Sequence, residues 1–223
     1  MANFHTHLSV AVAGGALLAV SGWHAALWSA ADAGPLAALT AFGGILPDID
    51  SDHSRSIRLI FTLFAVLAVV GGALLLQNRL SPGALVVACG GLYVGVRYAF
   101  GSVFKRFTVH RGIWHSLLAA MLCGLVTTAV SYQLLQQNAW MAWAHGLALV
   151  IGTLIHLLLD EMYSVDLVGS RLKRSFGTAF KLFDYREPGN SVIMLMMAAG
   201  LAPWLPPWQV LVDLLAQGSR LWR

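Results

Sequence analysis

Residues 139–162, AWMAWAHGLALVIGTLIHLLLDEM, carry the reading on which the rest of the chain hangs. From Ala139 to Leu159 there is no Asp, Glu, Lys or Arg, and the run is long enough to cross ~30 Å of hydrocarbon, for which a helix needs roughly 20 residues. His156 and Asp160 then fall four apart on one helical face at the end of that span, while Glu161 points to a different face. Ionisable groups there are costly in a bilayer and mark a functional site by default.

Working outward, comparable apolar runs cover Leu8–Ala31, Pro35–Pro47, Ile57–Gln77, Gly83–Gly101, Ile113–Leu135 and Val192–Leu215. The 223 residues are 58% hydrophobic and only 11% charged, too few charges to cover a soluble surface, which carries about 25%. The pattern predicts an all-α, polytopic transmembrane helical bundle of about six or seven membrane segments, forming one domain over 1–223. Pro35–Pro47 is short, rising only ~20 Å as a helix, so it reads as tilted, distorted or re-entrant. Trp204, Pro206, Pro207 and Trp208 mark an interfacial break in the last run. No Lys or Arg precedes the first run, so it is read as a retained span and not as a cleaved signal.

The cations gather in loops: Arg55 and Arg58; Lys105, Arg106 and Arg111; and Arg171, Lys173, Arg174, Lys181 and Arg186 in a basic loop at about 161–190. With Pro35–Pro47 counted as a crossing, all three loops share one side, which the positive-inside rule makes cytoplasmic. Nothing resembles a DNA-reading motif, so no nucleic-acid partner is expected. Phe176, Phe180, Leu182 and Phe183 among those cations fit either a surface-lying amphipathic segment or a solvated connection. Arg97, inside a span, should face the bundle interior or snorkel to the nearer interface. Cys89 and Cys123 lack metal or disulfide spacing.

Four polar clusters fall on the predicted cytoplasmic side: His5-Thr6-His7; Asp48-Ile49-Asp50-Ser51-Asp52-His53; His110-Arg111-Gly112-Ile113-Trp114-His115-Ser116; and His156 with Asp160. Alternating aspartates suit a hard or borderline cation, or else a solvated turn with capping carboxylates. Arg111 offers a fork for phosphate, or else anchors the chain at the bilayer surface. His24 and His145 lie toward the opposite ends of their helices and read as interfacial or packed. Asp48, Asp50, Asp52, Asp160 and Glu161 are half of the ten acidic residues, and membrane packing alone does not demand that they share a depth. Metal ligation accounts for the distribution. Imidazole with carboxylate suits zinc, with manganese or iron as other candidates, and the donors exceed the four of one tetrahedral site, so two or more ions are plausible.

His7, Leu46-Pro47-Asp48-Ile49-Asp50, His110-Arg111-Gly112 through His115-Ser116, and His156 with Asp160 together resemble the YdjM-like family of bacterial inner-membrane proteins regarded as metal-dependent hydrolases. The resemblance runs through about residue 162, and the HRGxxHS element is its most specific part. It implies metal ligands at His7, Asp48, Asp50, His110, His115, His156 and Asp160, ahead of His5, Asp52 and His53. It also implies a more distant likeness to zinc-dependent phospholipase C and single-strand nucleases, resting on the style of the ligand arrangement.

These readings lead to a multi-pass inner-membrane hydrolase whose metal-activated water attacks a phosphoester such as a phospholipid at the cytoplasmic leaflet. Arg111 would hold a phosphate oxygen, and Asp48 or Asp50 would orient the water. Two other classes fit the composition. A metal transporter would place ionisable groups near the midplane and on both sides, whereas the middles of most spans here are apolar. A non-enzymatic scaffold would work through the basic segment Arg171–Arg186.

Overall fold

The structure, a computed structural model, describes residues 3–50, 55–102, 113–166, 171–172, 181–185 and 187–219. It contains helices α1 (Phe4–His24), α2 (Ala30–Gly43), α3 (Arg55–Leu76), α4 (Pro82–Val94), α5 (Leu117–Gln133), α6 (Ala139–Met162), α7 (Pro188–Gly200) and α8 (Trp208–Ser219). A 3-10 turn, Pro47–Asp50, follows α2, and α4 runs on into a π-helical stretch, Gly95–Phe100. Val165–Asp166 (β1) and Arg171–Leu172 (β2) form a two-stranded antiparallel ribbon in the basic loop. The described residues group into two units, Met1–Pro47 with Ile113–Arg223, and Asp48–Gly112, where the sequence reading treats 1–223 as one domain.

In the first unit α6 is the axis, packed against α1, α2, α5 and α8. Its neighbours reach it through small residues. A Cβ on Gly152 would collide with the Thr40 carbonyl of α2, and one on Gly146 with the Thr128 hydroxyl of α5, so these helices meet backbone to backbone. That is how helices pack without a hydrophobic driving force between them in lipid. Thr153 closes the α2 contact, donating its hydroxyl to Leu149 O at 3.0 Å and Gly43 O at 3.4 Å. One half of the unit is filled by Leu36, Met141, Trp143, Ala144, Ala148 and Leu214. Trp143 packs at 4.8 Å against Trp208, at the start of α8, with the rings tilted by 42°.

The second unit is the α3/α4 hairpin with its π-helical extension. Ser81 caps α4 by accepting from Ala84 N, and Pro82 occupies the first turn, where no intrahelical donor is lost. The outward residues of both units are apolar: Leu75 is 77% exposed, Val87 75% and Leu134 73%. Apolar side chains this exposed face lipid, not water.

Among the described residues four helices have the length and apolarity to cross a membrane: Phe4–His24, Ser56–Leu76, Pro82–Phe100 and Ala139–Met162. The last expected span is not continuous, because α7 with its 3-10 extension and α8 are bent by 99° at Leu205–Pro207; counted as one broken span they make a fifth. Prolines there remove donors and cannot continue a helix. Leu117–Gln133, 17 residues long, sits at the lower limit for a crossing, and α2, at 14 residues, falls below it. The chain is a polytopic transmembrane helical bundle.

Candidate metal centre

The first span starts earlier than its hydropathy predicts. Asn3 caps α1 by accepting from Thr6 N at 2.9 Å, so His5-Thr6-His7 is the first turn of the helix and not a tail before it. His7 thereby heads a buried stripe, His7, Ala11, Gly15, Ala19 and Gly22, facing the bundle interior, while His5 is exposed. At the other end of the chain order, Ser116 caps α5 by accepting from Ala119 N at 3.2 Å, which leaves His115 buried just outside the helix. The first amides of α5 are met by a passing segment: Leu117 N donates to Lys181 O at 2.9 Å and Leu118 N to Leu182 O at 3.0 Å. Lys181 in turn pairs with Asp184 at 3.1 Å, and Asp184 N donates to Ser191 Oγ in α7 at 3.1 Å. Residues 181–185 of the basic loop are thus held to two helices through their backbone and Asp184, while Leu182, Phe183 and Tyr185 stay exposed.

These anchors converge on Asp160. His7 Nε2 lies 3.2 Å from Asp160 Oδ1, and His115 Nε2 and His156 Nε2 lie 3.8 and 3.9 Å from Asp160 Oδ2. All four side chains are at most 2% exposed. The His7 and His156 rings are stacked, 3.8 Å between centroids and 15° from parallel, and His115 meets His156 edge on at 5.6 Å. A carboxylate inside a helical bundle is strongly disfavoured unless it is paired or coordinates a metal. One nitrogen from each of His7 and His156 and one Asp160 oxygen lie within 4.8 Å of one another, close enough to hold one ion.

The ring of His156 is oriented from behind. Its Nδ1 donates to the carbonyl of Gly44 at 2.8 Å, and since a carbonyl only accepts, that nitrogen carries the hydrogen. The neutral ring then presents the Nε2 lone pair to the cluster, as the outer hydrogen bonds of metal-binding histidines do. Two imidazoles and a carboxylate, with a third imidazole alongside, are a donor set that fits zinc, including the three-ligand arrangement of hydrolytic sites.

Sequence reasoning therefore placed His7, His115, His156 and Asp160 in one site, and the fold brings these four together. Asp48 opens the second unit, where its carboxylate accepts from Ser56 Oγ at 3.3 Å. Asp50 closes the 3-10 turn Pro47–Asp50. His110, Arg111, Asp52 and His53 lie outside the described residues. Gly44 was missed, and nothing in a sequence could reveal it, because its contribution is a backbone carbonyl that every residue carries. His145, read as interfacial or packed, is 9% exposed and hydrogen-bonded through Nδ1 to Ser131 Oγ at 2.7 Å, toward the other end of α6.

A buried histidine and aspartate cluster at one end of a polytopic helical bundle defines a membrane protein with a candidate metal centre. The family model described as the YdjM inner membrane protein matches residues 1–173. The chain belongs to that family and is an inner membrane protein. No curated protein and no solved structure matches it.

Proposed function

We propose that the chain is a metal-dependent hydrolase acting on a phosphoester, such as a phospholipid, from the cytoplasmic face of the inner membrane. The observation that carries this reading is the convergence of His7, His115 and His156 on the fully buried carboxylate of Asp160. His7, His156 and Asp160 hold a divalent ion, zinc being the simplest match to the donors. Such an ion supplies Lewis acidity toward a phosphoryl oxygen and makes water nucleophilic near neutral pH. The protein's own part is orientation: Gly44 fixes His156, the α1 cap places His7, and the α5 cap places His115. With α2 counted as a crossing, three basic loops share one side, and the positive-inside rule makes that side cytoplasmic. Lipid as substrate is favoured by the cluster's position at the end of a span, where headgroups lie.

Elemental analysis and phospholipid hydrolysis by the purified chain test the proposal together. At least one transition-metal ion per chain is expected, and His156→Ala should lose both the metal and the hydrolysis. Full activity in that variant would refute its role. A metal-loaded chain that carries the ion across proteoliposomes without hydrolysing lipid would replace the hydrolase by a transporter.

A further inference from the structure

The second unit contains a cavity of its own. Ile57, Arg58, Phe61, Arg97, Tyr98, Gly101 and Ser102 enclose about 120 Å³ between the start of α3 and the π-helical end of α4. Arg58 lies near the first residue of the span Ser56–Leu76 and Arg97 near the last of the span Pro82–Phe100, so both belong to one end of the hairpin, Arg58 exposed and Arg97 half-buried. Among the described residues neither guanidinium has a carboxylate within ion-pair distance, and no acidic side chain lines the cavity. Arg97 rests 5.3 Å from the Tyr98 ring centre, a contact that positions the cation without neutralising it.

Two arginines line one cavity and cannot shed their protons, so an anion there would be matched in charge by both. The backbone carries a second signal. Gly95–Phe100 is π-helical, and the extra residue in that turn rotates the next turn of helix about its axis; such insertions concentrate at functional sites. Phe61, 2% exposed and edge-on to Phe100 at 6.0 Å, gives the cavity an apolar wall. A planar guanidinium makes paired, charge-assisted hydrogen bonds to a tetrahedral oxyanion.

We propose that Arg58 and Arg97 form a phosphate-binding site for an anionic group, distinct in its residues from the histidine cluster and independent of the hydrolase reading. Tyr98 and Ser102 bring hydroxyls to the same wall. The phosphate comes either from an anionic phospholipid headgroup or from free phosphate, and the position of both arginines at one end of the hairpin favours the headgroup.

Calorimetric titration of the full chain in detergent, with a short-chain phosphatidylglycerol, its phosphatidylcholine counterpart and inorganic phosphate, separates these sources. Phosphatidylglycerol should bind and phosphatidylcholine should not. Arg58→Gln and Arg97→Gln should each weaken binding roughly ten-fold or more, as loss of a charge-assisted hydrogen bond implies. Saturation by inorganic phosphate alone, lost in the same variants, would keep the site and name the free ion as its ligand. Arg97→Lys retains the charge but not the fork, so it should weaken binding several-fold while unfolding at the parent temperature, which keeps the test open if Arg97→Gln fails to fold. Undiminished binding of phosphatidylglycerol and phosphate by the folded Arg58→Gln/Arg97→Lys double variant would overturn the proposal, and so would the absence of any anion binding by the parent.

Discussion

His156 donates from Nδ1 to the carbonyl of Gly44 at 2.8 Å, across 112 residues of sequence, and this one bond decides which nitrogen faces Asp160. It also ties the candidate metal centre to the seam between α2 and α6. Gly43 sits in that seam with no room for a side chain against the Leu149 carbonyl, as Gly152 does against Thr40.

Gly44→Ala tests the link. The backbone there has φ −67° and ψ −11°, which alanine adopts readily, so the effect comes from contact alone. The new Cβ would collide with Ala11 Cβ and push the carbonyl away from His156. Metal affinity, measured by competition with a chromogenic chelator, should fall about 10- to 100-fold, the usual cost of losing an outer hydrogen bond to a ligand. Adding Ala11→Gly should restore most of it. An unchanged affinity in Gly44→Ala would show that His156 needs no such support.

Asp160→Asn keeps the side chain's shape and removes its charge. In chelator the variant should unfold below the parent temperature, since His7 loses the charged partner it holds at 3.2 Å inside the protein. Metal should then separate the two proteins: at a hundred-fold excess over Kd the parent gains about 2.7 kcal/mol, and the variant gains none. Equal stabilisation of both by zinc would remove Asp160 from the ligand set.

His145→Ala should cost stability and leave metal binding untouched. Its bond to Ser131 joins α6 to α5 far along the helix from Asp160, and interhelical bonds of this kind contribute about 0.5–2 kcal/mol. Unfolding in detergent should register that loss, while bound metal per chain stays at the parent level. Loss of metal from a folded His145→Ala chain would show that the site extends well beyond the cluster described.

How far the site could be read in advance differs from residue to residue. His156 and Asp160 were legible because helical periodicity alone puts i and i+4 on one face, and a bilayer makes that pair conspicuous. His7 was legible as a polar residue beside a span, but its burial depends on the Asn3 cap, which carries the helix four residues further back than hydropathy shows. His115 needed the cap at Ser116 and the segment 181–185 that covers the first amides of α5, a pairing between residues some 65 apart. Arg58 and Arg97 were readable singly, as a loop cation and a costly intramembrane charge. Their shared cavity depends on the α3/α4 hairpin and its π-helical turn.

Membrane residence, helical class and the polar residues at span ends followed from composition and period, because hydrocarbon thickness and the pitch of a helix act on each segment locally. The tertiary structure alone decided how sharply the last span bends, which glycines let α2 and α5 close on α6, and that three imidazoles from three distant segments share one aspartate. Those outcomes depend on how rigid helices fit against one another, and a fit between surfaces far apart in the chain leaves no periodic trace in the order of residues.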